Sequence, residues 1–184
     1  NYRDFSQEQR DSRLTNGLMV HLCRGGSGLT WLDYSGYGNH AVFNQGTPTP
    51  VWTLGTGNKM NASLIQATNN NVAIIPHNTM FDVGTGDLTL AFWVYNNKSG
   101  APSAFESYIG CYETPSQLGW TFAQTSGVTT MRFHWNATNI DSVVTLPTFQ
   151  WSHWTVVRKG DVITMYMNGT QVNTVSGKAA DTLN

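Results

Sequence analysis

The sequence predicts an all-β protein, a two-sheet antiparallel jelly-roll sandwich that follows a short N-terminal arm. Apolar residues recur at every second position in several segments, for example 88–94 and 131–135, which is the periodicity of strands with one buried face. Turn-forming pairs such as Asn168-Gly169 separate these segments. No window of eleven or more residues has apolar residues spaced by three and four, so helix is expected only in the arm or as single turns. Many short strands joined by turns are typical of a sandwich.

The same alternation places further strands along the chain. It starts after Gly17, where Leu18, Val20 and Leu22 are predicted to share one face of a first strand. It returns at 163–167, and Lys159-Gly160-Asp161 supplies a hairpin turn just before that segment.

Length and charge limit the classes of protein to which the chain can belong. A chain of 184 residues forms one domain that buries about 70% of its unfolded surface. Charged residues make up only 11% of it, against about 25% in an average soluble domain. The net charge is −1 and there is no basic run, so we expect no nucleic-acid partner. The longest apolar runs have the length of strands, and we therefore expect no membrane insertion.

The N-terminal arm, residues 1–16, differs in composition from the rest of the chain. Six of the 21 charged residues fall within its first thirteen positions. Ser6 followed by Gln9 fits a capping box, so the arm is a candidate for a short helix. Two interpretations stay open: a segment that grips a partner, and a solvated leader.

Three stretches resemble one known family. The loop Asp33–His40 reads D-Y-S-G-Y-G-N-H, the segment Trp151–Arg158 fits W-x-H-x-x-x-V-R, and Tyr166–Gly169 fits Y-x-N-G. Together they resemble the laminin-G-like branch of the concanavalin A-like lectin/glucanase superfamily. The resemblance runs from about residue 18 to residue 172, and it implies that residues 17–184 form the sandwich.

The resemblance also implies what lies in the core and at the end of the domain. Family members continue for about thirty residues beyond the N-G hairpin with strands that complete the sandwich. We therefore expect that further chain or neighbouring subunits cover the sheet edge left after Asn184. The apolar faces and the matching family positions predict a core that contains Leu18, Val20, Leu90, Phe92, Trp151 and Val156.

Two interpretations of the loop that contains Asp33 stay open. Its carboxylate, amide and carbonyl oxygens are of the kind that calcium favours, and the superfamily includes calcium-dependent lectins, so Asp33 is the first candidate ligand if a metal binds. Alternatively, Asp33 and Ser35 bond loop amides, while Gly36 and Gly38 adopt positive φ. No other cofactor is expected.

Catalytic patterns are missing from the sequence. The superfamily's glucanases carry an E-x-D-x-x-E strand, but this chain has only three glutamates, of which Glu106 and Glu113 are expected on irregular surface chain. The five histidines are scattered, without the spacing of metal ligands, and His153 is expected to be structural. We expect a protein that is not an enzyme.

Ligand binding is expected from residues that can stack on sugars or hydrogen-bond to them. The loop candidates for stacking are Tyr34, Tyr37, Tyr112 and Trp120, and Asn39 is a polar candidate. The alternative is that most aromatic residues fill a sandwich core about 10 Å thick. The two cysteines, Cys23 and Cys111, show no disulfide framework, and buried thiols are expected in preference to a bridge.

These observations favour a non-catalytic structural and recognition module on an external surface. The first setting is the virion surface, as a bacteriophage capsid decoration or appendage protein with capsid subunits as partners and a tendency to form a homo-oligomer. The second is a secreted or cell-surface module that binds carbohydrate or promotes adhesion. The third is part of a glycan-active enzyme whose acid and base lie elsewhere.

Overall fold

A computed structural model describes most of the chain. It covers residues 17–22, 29–43, 51–54, 61–64, 73–113, 118–136, 138–178 and 180–181, with the backbone alone at 51–54, 61–64, 112–113 and 118. The predicted arm at 1–16 and Cys23 lie outside the described residues. Contacts within the chain divide it into two compact units, Asn1–Phe81 and Asp82–Asn184.

Among the described residues, the first unit contains five short strands. These are β1 (Thr30–Trp31), β2 (Ala41–Phe43), β3 (Val51–Leu54), β4 (Asn61–Leu64) and β5 (Ala73–Ile74). Strands β1, β2 and β5 form one antiparallel sheet in that order, and β3 pairs with β4 in a second. A single 3₁₀ turn, Thr79–Phe81, follows and is the only helical element in the part of the chain that the structure describes.

In its described part, the second unit contains eight strands in two four-stranded antiparallel sheets. They are β6 (Leu88–Tyr95), β7 (Glu106–Glu113), β8 (Leu118–Gln124), β9 (Thr130–Trp135), β10 (Thr138–Thr145), β11 (Trp151–Lys159), β12 (Val162–Met167) and β13 (Thr170–Val175). One sheet has the order β10-β9-β8-β7 and the other β13-β12-β11-β6. The described residues include no helix with the length and hydropathy that a membrane crossing requires.

A single hydrophobic core joins the two sheets of the second unit. Phe122 of β8 packs between Phe92 of β6, at 4.9 Å between ring centroids, and Trp154 of β11, at 5.2 Å. The buried residues of the core are Val94, Phe122, Met131, Phe133, Trp135, Ile140, Leu146, Trp154, Val156, Ile163, Met165 and Val172. Because this core draws on both sheets, the predicted all-β antiparallel sandwich is confirmed.

Hairpin turns follow the predicted chemistry. Asn168 and Gly169 have φ of 50° and 80°, which are the positive values that a type I′ turn requires at both central residues. Gly160 has φ of 58° at the first position of the two-residue connection between β11 and β12, as in a type II′ turn. Both turns hold β11, β12 and β13 in an antiparallel meander.

Three of the predicted strands are confirmed, and one is wrong. The alternating segments 88–94, 131–135 and 163–167 lie in β6, β9 and β12, whereas residues 18–22 form no regular strand among the described residues. Two of that segment's backbone groups are bonded by the loop instead: the His21 amide donates to Asp33 at 2.8 Å and the Met19 carbonyl accepts from Asn39 at 2.8 Å. Side chains of the loop therefore take the place of a neighbouring strand at these groups.

The predicted core is correct in part. Val156 is buried, and Leu90 and Phe92 are partly buried against the core. The prediction for Trp151 is wrong, because Trp151 and Val156 are five residues apart on one continuous strand and so point to opposite faces. Trp154 is the buried tryptophan of β11, and its indole N–H donates to Ser152 Oγ at 2.9 Å. Leu18 and Val20 are only partly buried.

Candidate functional site

The Asp33 loop is organised by one carboxylate. Asp33 Oδ1 accepts from the amides of His21 and Ser35 at 2.8 and 2.9 Å, and Oδ2 accepts from the Asn39 amide at 2.9 Å and from the Ser35 hydroxyl at 2.6 Å. The amide of Asp33 itself donates to Nδ1 of His40 at 2.9 Å. Four donors on one carboxylate fix the path of the loop.

Asn39 and two glycines complete this loop. The Asn39 side-chain amide donates to the Met19 carbonyl at 2.8 Å, and its oxygen accepts from Asn78 at 3.2 Å. Gly36 and Gly38 have φ of 96° and 74°, where a side chain would be strained. Asn39 is buried, so it acts in the described structure as a link between loop segments.

The electrostatics of Asp33 favour the ionised carboxylate. Burial opposes ionisation, but the hydrogen bonds from Ser35, His21 and Asn39 outweigh it and hold the pKa of Asp33 below its usual value. Within the described residues, no three His, Cys, Asp or Glu side chains gather at one point. A calcium ion at Asp33 would need neutral oxygens among its ligands from the described residues, and that metal site stays a prediction.

The two tyrosines predicted for this loop differ in exposure. Tyr37 is 60% exposed, whereas Tyr34 is partly buried and its amide donates to the His21 carbonyl at 2.9 Å. Tyr37 therefore offers the more accessible ring of the pair.

The other two aromatic candidates do not lie in loops. Tyr112 belongs to β7 and Trp120 to β8, where the backbone of Trp120 pairs with Cys111. The side chain of Tyr112 lies outside the described residues. Trp120 packs against the core, with its ring 6.3 Å from that of Phe133. Its prediction as a loop residue is wrong, because the alternation of β8 turns it towards the sandwich interior.

Strand β7 also corrects two smaller expectations. Glu106 and Glu113 lie at its two ends and not on irregular chain. Glu106 forms an ion pair with Lys98 at 2.5 Å. Cys111 is an exposed free thiol, not a buried one, because β7 is the last strand of its sheet in the described structure.

Aromatic rings gather on the side of β6 and β11 that faces away from the core. Trp93 of β6 lies opposite His153 of β11 with ring centroids 5.0 Å apart, and Tyr95 lies opposite Trp151 at 5.4 Å. The interplanar angles are 57° and 54°. We call these four residues the aromatic face. Trp93 is 50% exposed, so its ring is accessible to a ligand.

The remainder of this sheet side carries one formally charged residue among the described strands, Lys159, at the end of β11 farthest from Trp151. It presents small, hydroxyl and aliphatic side chains, namely Thr89, Ala91, Thr155, Val157, Val162, Thr164, Tyr166 and Thr174. Ala91 pairs with Thr155, and Thr155 with Tyr166. The aromatic face therefore borders a row of small and hydroxyl-bearing residues.

A strained aromatic residue stands at one end of the aromatic face. Phe149 has φ of 56° and is 60% exposed, and positive φ is rare for a bulky residue. Its amide donates at 2.7 Å to the carbonyl of Asn96, the residue after Tyr95. This bond and the bridge between Asn96 and Thr148 hold the loop before Trp151 against the end of β6.

Comparison with known proteins identifies the family. A laminin G-like family model described as the concanavalin A-like lectin/glucanases superfamily matches residues 66–184. The chain belongs to this superfamily. No curated protein matches the chain. Among solved structures, the lectin/glucanase-fold chain is similar to an S-layer domain-containing protein (residues 221–444) from Clostridium thermocellum ATCC 27405, at 18% identity and a TM-score of 0.43, over 83% of this chain and 68% of that one.

A small polar cleft is the competing candidate site in the lectin/glucanase-fold chain. It has a volume of about 230 Å³ and is lined by Asn96, Lys98–Ser103, Glu106 and Gln124. Its buried amides already have partners within the protein: Gln124 donates to the Thr129 carbonyl at 2.9 Å and accepts from the Tyr108 hydroxyl at 3.0 Å. With its polar groups engaged and its charges paired, the cleft offers a ligand fewer free partners than the aromatic face.

Sequence reasoning missed the aromatic face, although a local signal for it exists. Trp93 and Tyr95 are two residues apart, as are Trp151 and His153, so each pair shares one face of its strand. Both pairs alternate with core residues of the same strand. The sequence did not show that the two strands are neighbours in register.

Proposed function

We propose that the domain is a non-catalytic structural and recognition module displayed on an external surface. The observation that carries this proposal is the aromatic face, a set of rings that includes the half-exposed Trp93 and lies at the end of β11 opposite to Lys159. Large exposed aromatic residues cost solubility unless they serve recognition. The superfamily fold supplies a rigid sheet on which such a surface can be presented.

The distribution of carboxylates supports a role without catalysis. Glycoside hydrolysis uses two carboxyl groups about 5 to 9.5 Å apart beside the scissile bond. Among the described residues, the aromatic face and the sheet side around it carry no carboxylate. Asp141 lies on the other sheet and forms a bidentate ion pair with Arg132, with Nε–Oδ1 and Nη2–Oδ2 distances of 2.6 and 2.8 Å.

We place the virion surface first among the possible settings. There the domain would be part of a bacteriophage capsid decoration or appendage protein that forms a homo-oligomer and contacts capsid subunits. Its support is the low charge of the chain, 11% of residues, and a surface made polar by amides and hydroxyls. A secreted module that binds carbohydrate or promotes adhesion is the second candidate, and the aromatic face favours it. In either setting the domain works outside the cell interior.

Immunogold labelling with an antibody raised against the domain tests the setting. Gold on purified phage particles, and none on the host cell surface, is the expected result. Label on the cell surface alone would replace the virion with the second setting. In a parallel assay for release of reducing ends from polysaccharides, turnover by the purified chain would contradict a non-catalytic role.

A further inference from the structure

We propose that the aromatic face is the interface of a homodimer, in which a second copy of the chain packs against it through the same sheet side. This inference rests on the proposed function and names the partner of its recognition surface. A two-fold symmetric contact uses one patch twice, so the patch must be complementary to itself. The pattern of large and small residues, the position of the charge and the size of the sheet side meet this requirement.

Large and small residues divide this sheet side into two halves. One half is the aromatic face. The other half consists of small or β-branched residues of the same two strands: Thr89, Ala91, Thr155 and Val157. The pair Ala91–Thr155 lies next to the pair Trp93–His153 along the strands. A second copy, turned about an axis that lies between the two sheets and runs across the strands, would place its rings over the small half of the first copy. Protruding rings that meet a lower surface give the close packing that stable interfaces need.

The charge on this sheet side lies where a homodimer tolerates it. Lys159 is at the end of β11 farthest from Trp151. The same rotation keeps the two Lys159 side chains at opposite ends of the contact, so that no like charges meet. The centre of the contact then contains aromatic, hydroxyl and aliphatic groups. Aromatic residues are enriched and charged residues are depleted at the centre of protein interfaces, whereas the rim is polar and accessible to solvent.

The size of the sheet side is sufficient for a specific contact. The sheet has four strands of six to nine residues. With strands about 4.8 Å apart and a rise of about 3.3 Å per residue, its side measures about 19 by 24 Å, or about 450 Å² for each copy. The protruding rings add to this flat area, so two copies bury about the 1,000 Å² that a specific interface needs. We therefore expect a dimer that forms at micromolar concentrations and dissociates on dilution.

Phe149 adds an apolar group at the border of the aromatic face. Its side chain is 60% exposed and its φ is 56°, a conformation that a bulky residue adopts only where its surroundings hold it. The hydrogen bond from its amide to the Asn96 carbonyl, at 2.7 Å, helps to hold it. An apolar ring presented to water in this way costs solubility unless a partner covers it. Phe149 and the half-exposed Trp93 are therefore the expected anchors of the contact.

A sugar is the competing occupant of the aromatic face. Small ligands usually enter a cleft, and the polar cleft lined by Asn96, Lys98 and Glu106 includes no residue of the aromatic face. Trp93 and its neighbour Ala91 are exposed on the side of a four-stranded sheet instead. A broad sheet side of this kind favours a protein partner over a small ligand.

Sedimentation equilibrium of the full chain tests the proposal. We expect the mass to rise from one to two chain masses of 20.3 kDa as the concentration increases through the micromolar range. Trp93→Ala should raise the dissociation constant at least about tenfold, because the ring is a central anchor. Ala91→Arg should raise it as strongly, because a long charged side chain would lie beneath the partner's rings. Ala91 is exposed and lies outside the core, so this second variant should fold normally.

Phe105→Ala is the matched control. Phe105 is 52% exposed, close to the 50% of Trp93, but lies just before β7, outside the aromatic face. This variant should dimerise like the native chain, and circular dichroism should show that the Trp93 and Ala91 variants remain folded. An equal loss of the dimer in Phe105→Ala would overturn the assignment of the interface.

Four further results would overturn the proposal: a monomer over the whole concentration range, a dimer that both Trp93→Ala and Ala91→Arg leave intact, an assembly larger than a dimer that these changes remove, or a neutral polysaccharide that retards the native monomer in a gel but not Trp93→Ala. The last would show that sugar occupies the aromatic face. Failure of this inference is distinguishable from failure of the proposed function. Labelled virions with a monomeric chain would refute this dimer, whereas a dimer without label on virions or cells would refute the external setting.

Discussion

The buried guanidinium of Arg158 offers the sharpest test of how the sandwich is held together. Arg158 is 1% exposed, and its side chain donates to the carbonyls of Lys178 at 2.9 Å, Gly84 at 3.1 Å and Gly160 at 3.4 Å. Its guanidinium carbon lies 5.0 Å from the centre of the Trp135 ring in the opposite sheet. One side chain thus ties three chain segments and both sheets together.

The expected cost of replacing Arg158 follows from these contacts. A hydrogen bond with a charged partner contributes about 1.5 to 3 kcal/mol, and a desolvated cation over a tryptophan ring contributes about 2 kcal/mol. Arg158→Met keeps most of the apolar stem and relieves the cost of burying a charge, which offsets part of the loss. We expect Arg158→Met to lower the free energy of unfolding by about 2 to 4 kcal/mol.

Arg158→Lys should be no milder than Arg158→Met. The ammonium group keeps the buried charge but lacks the planar fork that reaches three carbonyls in different directions. Urea unfolding followed by tryptophan fluorescence measures both variants. The matched control is Arg132→Met, because Arg132 is also a strand arginine but its pair with Asp141 is partly exposed, and such pairs contribute about 0 to 1 kcal/mol. A loss below about 1 kcal/mol in Arg158→Met would refute the reasoning.

Three other predictions concern single groups. Because the pKa of Asp33 is lowered in the folded chain, its carboxylate stabilises the fold above the usual value of 3.8. That stabilisation is lost as the pH falls through the lowered pKa. Asp33→Asn should therefore lower the free energy of unfolding by about 1 to 2 kcal/mol at neutral pH. The difference in urea midpoint between the native chain and this variant should shrink in acid, and a constant difference would contradict this. Burial and the charge of Glu106 raise the pKa of Tyr108 to about 12, so absorbance at alkaline pH should show one late-titrating tyrosine, and Tyr108→Phe should remove that step. Phe92→Ala should cost about 2 to 4 kcal/mol, since Phe92 is partly buried against Phe122, and an unchanged urea midpoint would contradict the face assigned to β6.

Local patterns explain which parts of the fold were predictable. The alternation at 88–94 and the pair Asn168-Gly169 act over a few residues, so the sequence suffices to predict β6 and the last hairpin. Residues 18–22 show the same alternation and yet form no regular strand in the described structure. Their backbone is bonded by side chains that follow more than ten residues later, including Asp33 and Asn39. Such competition is invisible to a periodicity argument.

Trp151 shows where a family position and a strand pattern disagree. Its place in the W-x-H-x-x-x-V-R segment suggested a core residue, whereas strict alternation from the buried Val156 predicts the opposite face. The alternation of the strand predicted the position of Trp151 correctly, and the family position did not. For the candidate site, the pairing of Trp93 with His153 depends on the register between β6 and β11, which are far apart in the chain. Tertiary packing sets the register between strands that are distant in the sequence, so local sequence patterns could not predict this pairing.

The two faces of strand β11 have different roles: one packs in the core, and the other carries the proposed recognition surface. Its inward residues include Trp154 of the hydrophobic core and the buried Arg158, and its outward residues include Trp151 and His153 of the aromatic face. Because the faces alternate, a change in one set reaches the other only through the backbone. At concentrations where the chain is monomeric, Trp93→Ala should therefore leave the urea midpoint unchanged although it weakens self-association, whereas Arg158→Met should lower the midpoint. If both variants lowered stability equally, the aromatic face would be part of the packing and its proposed role in recognition would lose its structural basis.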